Sequence, residues 1–179
     1  MKKIILAIIA GIIPLVLPAA STDFWFRHFS VEDGLSSNSV RAIMQDKYGF
    51  MWLGTDDGLN RYDGTTIKVY NLNPQGSNDY ISSLYDTTDN IWVGTEGGVY
   101  IFDYETESFE LFKVLTAQGD SIKSNVNHIA EDRDGNLWFS TVGQGIFKYN
   151  ISKHYLEHYE FKDANGLMAS VLVLSLIHI

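Results

Sequence analysis

The chain is 179 residues long, with 13 basic against 22 acidic side chains and a net charge of −9. That balance argues against nucleic acid or an anionic membrane surface as a partner. It contains no cysteine, so neither a disulfide framework nor a lipidated cysteine holds it, and its 45% hydrophobic content is enough for about one packed domain.

The first 21 residues read as a secretory signal peptide. Lys2 and Lys3 form a short basic region, Ile4 to Leu17 is apolar apart from Gly11 and Pro14, and Pro18-Ala19-Ala20-Ser21 offers small residues for cleavage. The run is shorter than the ~20 residues of a membrane span. Export then places the chain in the periplasm, and loss of Lys2 and Lys3 leaves the mature chain more acidic still.

Residues 22–35 carry the aromatic stretch Phe24-Trp25-Phe26-Arg27-His28-Phe29, followed by Val31-Glu32-Asp33-Gly34-Leu35. A second copy of this arrangement begins at Tyr159 and runs to Val171 with one residue missing. The later copy closes a repeat, so Phe26 to Phe29 is expected to be the outermost strand of a unit whose other strands lie elsewhere, closing a ring.

Three repeats follow, expected at 36–75, 76–117 and 122–162. Each contains a tryptophan strand, a tight turn and a second strand: Met51-Trp52-Leu53-Gly54-Thr55, Ile91-Trp92-Val93-Gly94-Thr95 and Leu137-Trp138-Phe139-Ser140-Thr141. The tryptophans stand 40 and 46 residues apart. A period of about 40–50 residues with a Gly turn between two strands is the signature of a β-propeller blade. Alternation puts apolar residues on both faces of each tryptophan strand. Such a strand must be covered on both sides, as it is between two neighbouring blades. Gly54 and Gly94 are costly inside a strand and mark close approach by a neighbour.

The remaining strands fall into place around this pair. Val40 to Gln45, Ile81 to Tyr85 and Val126 to Glu131 are expected as first strands, with Ala42 and Ile43 as core candidates. Thr66 to Tyr70, Ser108 to Phe112 and Tyr155 to Phe161 are expected as more highly charged outer edges. Residues 163–179 begin a fourth repeat that stops before its tryptophan strand. The fold is therefore expected to be all-β: a partial propeller of three four-stranded antiparallel blades plus the start of a fourth. With about 4–8 blades needed to close, the chain reads as a piece of something longer, with an apolar blade face left open at each end.

The pattern resembles the two-component regulator propeller repeat. The resemblance rests on Gly34-Leu35-Ser36-Ser37-Asn38-Ser39-Val40, on Ile43, Asp46 and Gly49, and on Trp52-Leu53-Gly54-Thr55 with Gly58-Leu59-Asn60-Arg61-Tyr62-Asp63. It implies the periplasmic sensor region of a hybrid two-component histidine kinase from Bacteroides-like bacteria. Such proteins combine two seven-bladed propellers, a further β-domain, an inner-membrane helix and a kinase. The resemblance also implies a homodimeric whole protein responding to an oligosaccharide. The alternatives are a secreted propeller enzyme, of polysaccharide lyase or quinoprotein type, and a non-catalytic interaction scaffold.

No catalytic, cofactor or metal residue is assigned. Asp56-Asp57 could pass for a carboxylate pair, but its place in the repeat makes it a hairpin turn. Asp132-Arg133-Asp134-Gly135-Asn136 is similar to a calcium loop but lacks the distal Glu. His154 and His158 are four apart, which serves a zinc protease only on a helix; on a strand they read as a surface edge. Trp52, Trp92 and Trp138 could stack on sugars, yet their strict repetition assigns them to the core.

Overall fold

A computed structural model describes residues 26–72 and 80–160. They form a single 3-10 turn at Val31–Asp33 and twelve strands: β1 Val40–Gln45, β2 Met51–Thr55, β3 Gly58–Tyr62, β4 Ile67–Tyr70, β5 Ile81–Asp86, β6 Asn90–Thr95, β7 Gly98–Asp103, β8 Ser108–Leu111, β9 Val126–Glu131, β10 Asn136–Thr141, β11 Gly145–Asn150 and β12 Tyr155–Tyr159. The strands make three four-stranded antiparallel meanders in sequence order. The first strands pack side by side, β1 on β5 and β5 on β9. This is an arc of three propeller blades. The signal peptide assigned to residues 1–21 and the fourth repeat assigned to 163–179 lie outside the described residues.

Each blade is locked by short-range bonds that recur with the repeat. Thr55, Thr95 and Thr141, each three residues after the tryptophan, donate their hydroxyls across the hairpin to the carbonyls of Gly58, Gly98 and Gly145 at 2.8–3.0 Å. At the opposite end, Asp63, Asp103 and Asn150 accept backbone N–H groups of the next turn. A β-bulge sits at the same point of every first strand, at Arg41, Ser82 and Asn127.

The blades join through unlike faces. The tryptophan face of one blade meets the opposite face of the next. Trp52, Leu59 and Tyr70 pack on Ile81, Ile91, Val93 and Phe102, and Trp92, Val99 and Phe112 pack on Val126, Leu137, Phe139 and Phe147. The rings meet edge-on or tilted, with Trp52 5.0 Å from Phe102 and Trp92 5.7 Å from Phe139. The glycine two places beyond Trp52 and beyond Trp92 makes this approach possible. A Cβ on Gly54 would come within 2.5 Å of Ile81 Cγ2, and one on Gly94 within 3.0 Å of Val126 Cβ. Arg61 adds a further clamp between the first two blades. Its guanidinium lies over Phe50, Trp52 and Tyr70 and, with Lys68, pairs with Glu107 of the second blade.

Three expectations are corrected. Phe26 to Phe29 is not a strand: Phe26 is 94% exposed, while Arg27 and Phe29 rest on Tyr62. An outer strand needs its blade's inner strands beside it, and none is present among the described residues. Ile43 is 64% exposed rather than core, because it shares the face of Leu53 and Val69, which no other described blade covers. Trp138 is half-buried where Trp52 and Trp92 are buried, since its face points past the third blade. That face is also more polar than an open apolar surface, with Asn136, Lys148, Asn150 and Glu157 around Trp138.

The tryptophans also differ in their polar anchors. Asp46 and Asp132, each six residues before the tryptophan, accept the indole N–H of Trp52 at 2.7 Å and of Trp138 at 2.8 Å. Their other carboxylate oxygens close the turn onto Tyr48 and Phe50, and onto Asp134 and Asn136. This turn ends on a glycine at positive φ, 89° at Gly49 and 77° at Gly135. In the second repeat Asp89 stands there and does not adopt that conformation, which costs a residue with a Cβ more than glycine. The turn is closed instead by Thr87 and Asn90, Asp86 turns away, and the buried indole N–H of Trp92 has no partner.

Replacing Trp52 or Trp92 by Ala in the whole protein is expected to cost about 3–5 kcal/mol in denaturant unfolding, and Trp138→Ala less. Trp92→Phe should cost less than Trp52→Phe, because only the latter leaves a buried aspartate oxygen unpaired. Equal costs would contradict the anchoring scheme. For Asp132, burial pushes the carboxyl up, but the Trp138 indole N–H, the Asn136 side-chain and backbone N–H groups and the Asp134 N–H outweigh it and bring it down to about 2. Its unfolded value is about 4, so the stabilisation is fully present above that pH and is lost as pH falls toward 2. Asp132→Asn should therefore flatten the acid limb of the stability profile between about pH 4 and 2, measured by thermal melts.

Candidate functional site

The two ends of the blades are built differently. One end carries the Asp turns before the tryptophan strands. The other gathers the starts of β1, β5 and β9, their bulges, and the β2–β3, β6–β7 and β10–β11 hairpins. At this second end a scaffold bond repeats in every blade. The backbone N–H of Asp56, Glu96 and Val142 donates to the carbonyl of Ser39, Tyr80 and Asn125 respectively, at 2.8–3.3 Å. The backbone is thus the same three times, while the side chains it presents are not.

The most developed cluster on this rim is Arg41, Asp56 and Tyr80. The Arg41 guanidinium makes two bonds to the Asp56 carboxylate, 2.7 Å from Nε and 3.3 Å from Nη2, and lies 5.4 Å from the Tyr80 ring centre. The bond to Asp56 raises the Arg41 pKa, and the bonds to Arg41 and Ser39 lower that of Asp56, so the pair is charged throughout the neutral range. Along the same rim stand Ser82, Glu96, Asn127 and the hydrophobic Val142. Ser82 donates its hydroxyl to the carbonyls of Gly94 and Val126. The cluster offers a paired charge beside an aromatic face.

The sequence candidates fall elsewhere or have structural duties. Asp56 and Asp57 sit on the β2–β3 hairpin, but Asp56 serves Arg41 and the Asp57 backbone bonds to Thr55, so they are not an acid–base couple. Asp132 is saturated by its own turn and the Trp138 indole, and no group of side chains able to hold a metal ion occurs among the described residues. His154 is in a turn at φ 49°, its Nδ1 bonded to the Tyr149 hydroxyl. His158 is no surface residue: its ring stacks on Phe147 at 4.2 Å and its side chain is 10% exposed. The histidines share no site.

Sequence reasoning missed the rim cluster because it weighed each residue as a motif member. The available signal was departure from the repeat. Arg41, Ser82 and Asn127 occupy one repeat position and have different chemistry, as do Asp56, Glu96 and Val142. Neighbouring positions hold Thr, Trp and Gly or Ser nearly constant.

Comparison with known proteins agrees with this architecture. The family described as Two component regulator propeller matches residues 34–57 and 121–143. Histidine kinase P4 of Formosa agariphila is 46% identical over 70 residues, covering 39% of this chain and 5% of that protein. The extracellular domain of a hybrid two component system from B. thetaiotaomicron superposes with a TM-score of 0.66 at 32% identity, over 74% of this chain and 20% of that one. A second such domain from the same organism gives 0.60 at 23% identity, over 81% and 23%, a likeness of fold. The chain thus spans about a fifth of the solved relatives and a small part of the kinase. No helix among the described residues is long and apolar enough to cross a membrane. Two stretches of the chain match the two component regulator propeller family, and its described residues have the fold of the extracellular domain of a hybrid two component system.

Proposed function

We propose that this chain is the amino-terminal part of the sensor region of a hybrid two-component histidine kinase, and that its rim contributes to recognition of a carbohydrate fragment. The observation that carries this reading is the contrast between a rim backbone repeated three times and rim side chains that differ each time. A scaffold that holds its backbone and varies its exposed groups is organised for recognition. The similarity to an extracellular domain of a hybrid two component system and to a histidine kinase supports the location and the coupling.

In this reading the leader at residues 1–21 sends the chain to the periplasm, and segments outside the chain anchor the whole protein in the inner membrane as a homodimer. The sugar approaches the rim with a ring face on Tyr80 and hydroxyls shared with Arg41 and Asp56. The paired charge makes the rim locally neutral, so ligand hydroxyls can both donate to Asp56 and accept from Arg41. The chain itself binds and transmits; phosphoryl transfer belongs to the kinase.

The test is calorimetric titration of the whole protein with an oligosaccharide panel, followed by the same titration of Arg41→Ala and Tyr80→Ala. Each variant is expected to weaken binding about tenfold or more, about 1.4 kcal/mol, while the melting temperature stays within a few degrees because both side chains are at the surface. Unchanged affinity in both variants, or no binding by any oligosaccharide, would overturn the reading.

A further inference from the structure

Histidine is the side chain that ordinarily changes charge between about pH 5 and 8, and His158 is held where that change has a structural consequence. It lies on β12, with its ring flat on Phe147 at 4.2 Å and its side chain 10% exposed. Both ring nitrogens face acceptors. Nε2 meets the Gln144 carbonyl at 2.5 Å and Nδ1 meets the Asp120 carboxylate at 3.4 Å. An imidazole with one proton can donate to only one of them, and its other nitrogen then turns a lone pair toward an oxygen. Only the doubly protonated ring satisfies both.

The two acceptors belong to different pieces of the chain. Gln144 is in the β10–β11 hairpin. Asp120 is in the connection 112–125 between β8 and β9, a strap that crosses from the second blade to the third and is longer than the 71–80 connection at the first joint. Thr116 closes the turn of this strap: it accepts the N–H groups of Gly119 and Asp120 and donates its own to the Asp120 carbonyl. Thr116 also bridges to Leu156 in parallel, at the outer edge of the third blade. The Gln144 side chain holds the strap from the hairpin, accepting the Lys123 N–H at 2.8 Å and donating to the Ser121 carbonyl at 3.2 Å. Phe112 and Ile122 of the strap are buried in the core of the second joint. His158 is the point at which β12, the hairpin and the strap meet.

The elements around the ring bring few charges to it. β11 faces it with Phe147, whose π face attracts a cation, and the hairpin faces it with the Gln144 carbonyl. The strap faces it with Asp120, while Lys113 and Lys123 are exposed. On β12 itself Glu157 stands opposite Lys148 and accepts the Tyr159 hydroxyl, and Glu160 adds a carboxylate just beyond the strand. Burial works against any charge, so the device rests on the placement of the two acceptors.

We propose that His158 is a proton-operated latch on the strap. When doubly protonated it ties residues 112–125 to the third blade; when neutral it keeps its bond to Gln144 and releases Asp120. The Gln144 bond is the one retained because β12 and the hairpin are adjoining parts of one blade, whereas the Asp120 side chain is 51% exposed and can be solvated by water. The tie needs the second proton, so it is present on the acid side and lost as pH rises. Release loosens the strap over Phe112 and Ile122. None of the rim residues Arg41, Asp56 and Tyr80 takes part.

The test is hydrogen–deuterium exchange of the whole protein at about pH 5.5 and about pH 8, corrected for the intrinsic pH dependence of amide exchange and read by mass spectrometry. Peptides covering 112–125 are expected to be at least about fivefold more protected at the lower pH, with peptides from β5 to β7 unchanged. His158→Gln carries one donor and one acceptor and gains no proton, so strap protection should become equal at the two pH values. Asp120→Asn leaves the histidine in place. Its amide can donate to the bare Nδ1 or, turned over, accept from the protonated one, so the strap should stay latched at both. A side chain with a merely structural role would lower protection in the variants without any pH difference in the wild type. Equal wild-type protection at the two pH values, or a pH difference that survives in either variant, would overturn the proposal.

Discussion

The structure depends on how closely one blade can approach the next. The tryptophan face of each blade is large and flat, and the small residue two places beyond the ring lets the neighbour's first strand come in beside it. Ile81 fills the space over Gly54, and Val126 the space over Gly94. A methyl group at either glycine would push the blades apart and separate Trp52 from Phe102, or Trp92 from Phe139. In the third repeat Ser140 takes this position with its hydroxyl unpaired, on a face that no other described blade covers. The cohesion is directional as well as apolar. Each joint brings together two different faces, so blades can add only in one sense around the arc.

Within a blade the bonds are local and redundant. The threonine after the tryptophan closes the hairpin, and an aspartate or asparagine closes the outer turn. Where the aspartate before the tryptophan anchors the indole, it also folds its own turn. Each blade therefore carries most of its shape in bonds spanning a few residues, and the interfaces can be left to apolar contact. Exceptions stand out against this regularity. Arg61 and Lys68 with Glu107, and the Lys47 N–H with Asp86, are polar ties across the first joint, and the second joint has different ones, from the Ser82 and Ser83 hydroxyls to the Val126 carbonyl and from the Tyr85 hydroxyl to Glu131.

These differences between joints bear on function. A repeat protein has one scaffold copied several times, so a polar group that departs from the copy without improving packing is a place to look for recognition. The rim and the Asp86 turn both meet this description. The rim keeps its backbone bond and changes its side chains. The Asp86 turn gives up the indole hydrogen bond and accepts instead from the Lys47 N–H and the Tyr104 hydroxyl. Neither has the geometry of a reacting centre: the charged groups are paired with each other or turned to the surface, as suits a region that binds.

What could be read from the residues alone was whatever is encoded over short distances. The 40- and 46-residue tryptophan spacing, the alternation along β2, β6 and β10, and the glycine-marked turns announce an all-β repeat, because hairpins and turns are decided by neighbours within about six residues. The close approach at Gly54 and Gly94 was legible for the same reason, since a glycine inside a strand is costly unless something needs its space. Only the tertiary structure could decide what lies across a blade boundary. Asp86 looks like Asp46 and Asp132 in spacing, yet it bonds to a residue 39 positions away. Ile43 looks like core, yet its face has no cover among the described residues, and His158 looks like edge, yet stacks on Phe147. Tyr80 meets Arg41 only because the second blade folds back beside the first. Strand periodicity assigns a face to each side chain, but what covers that face depends on which blade comes to rest against it.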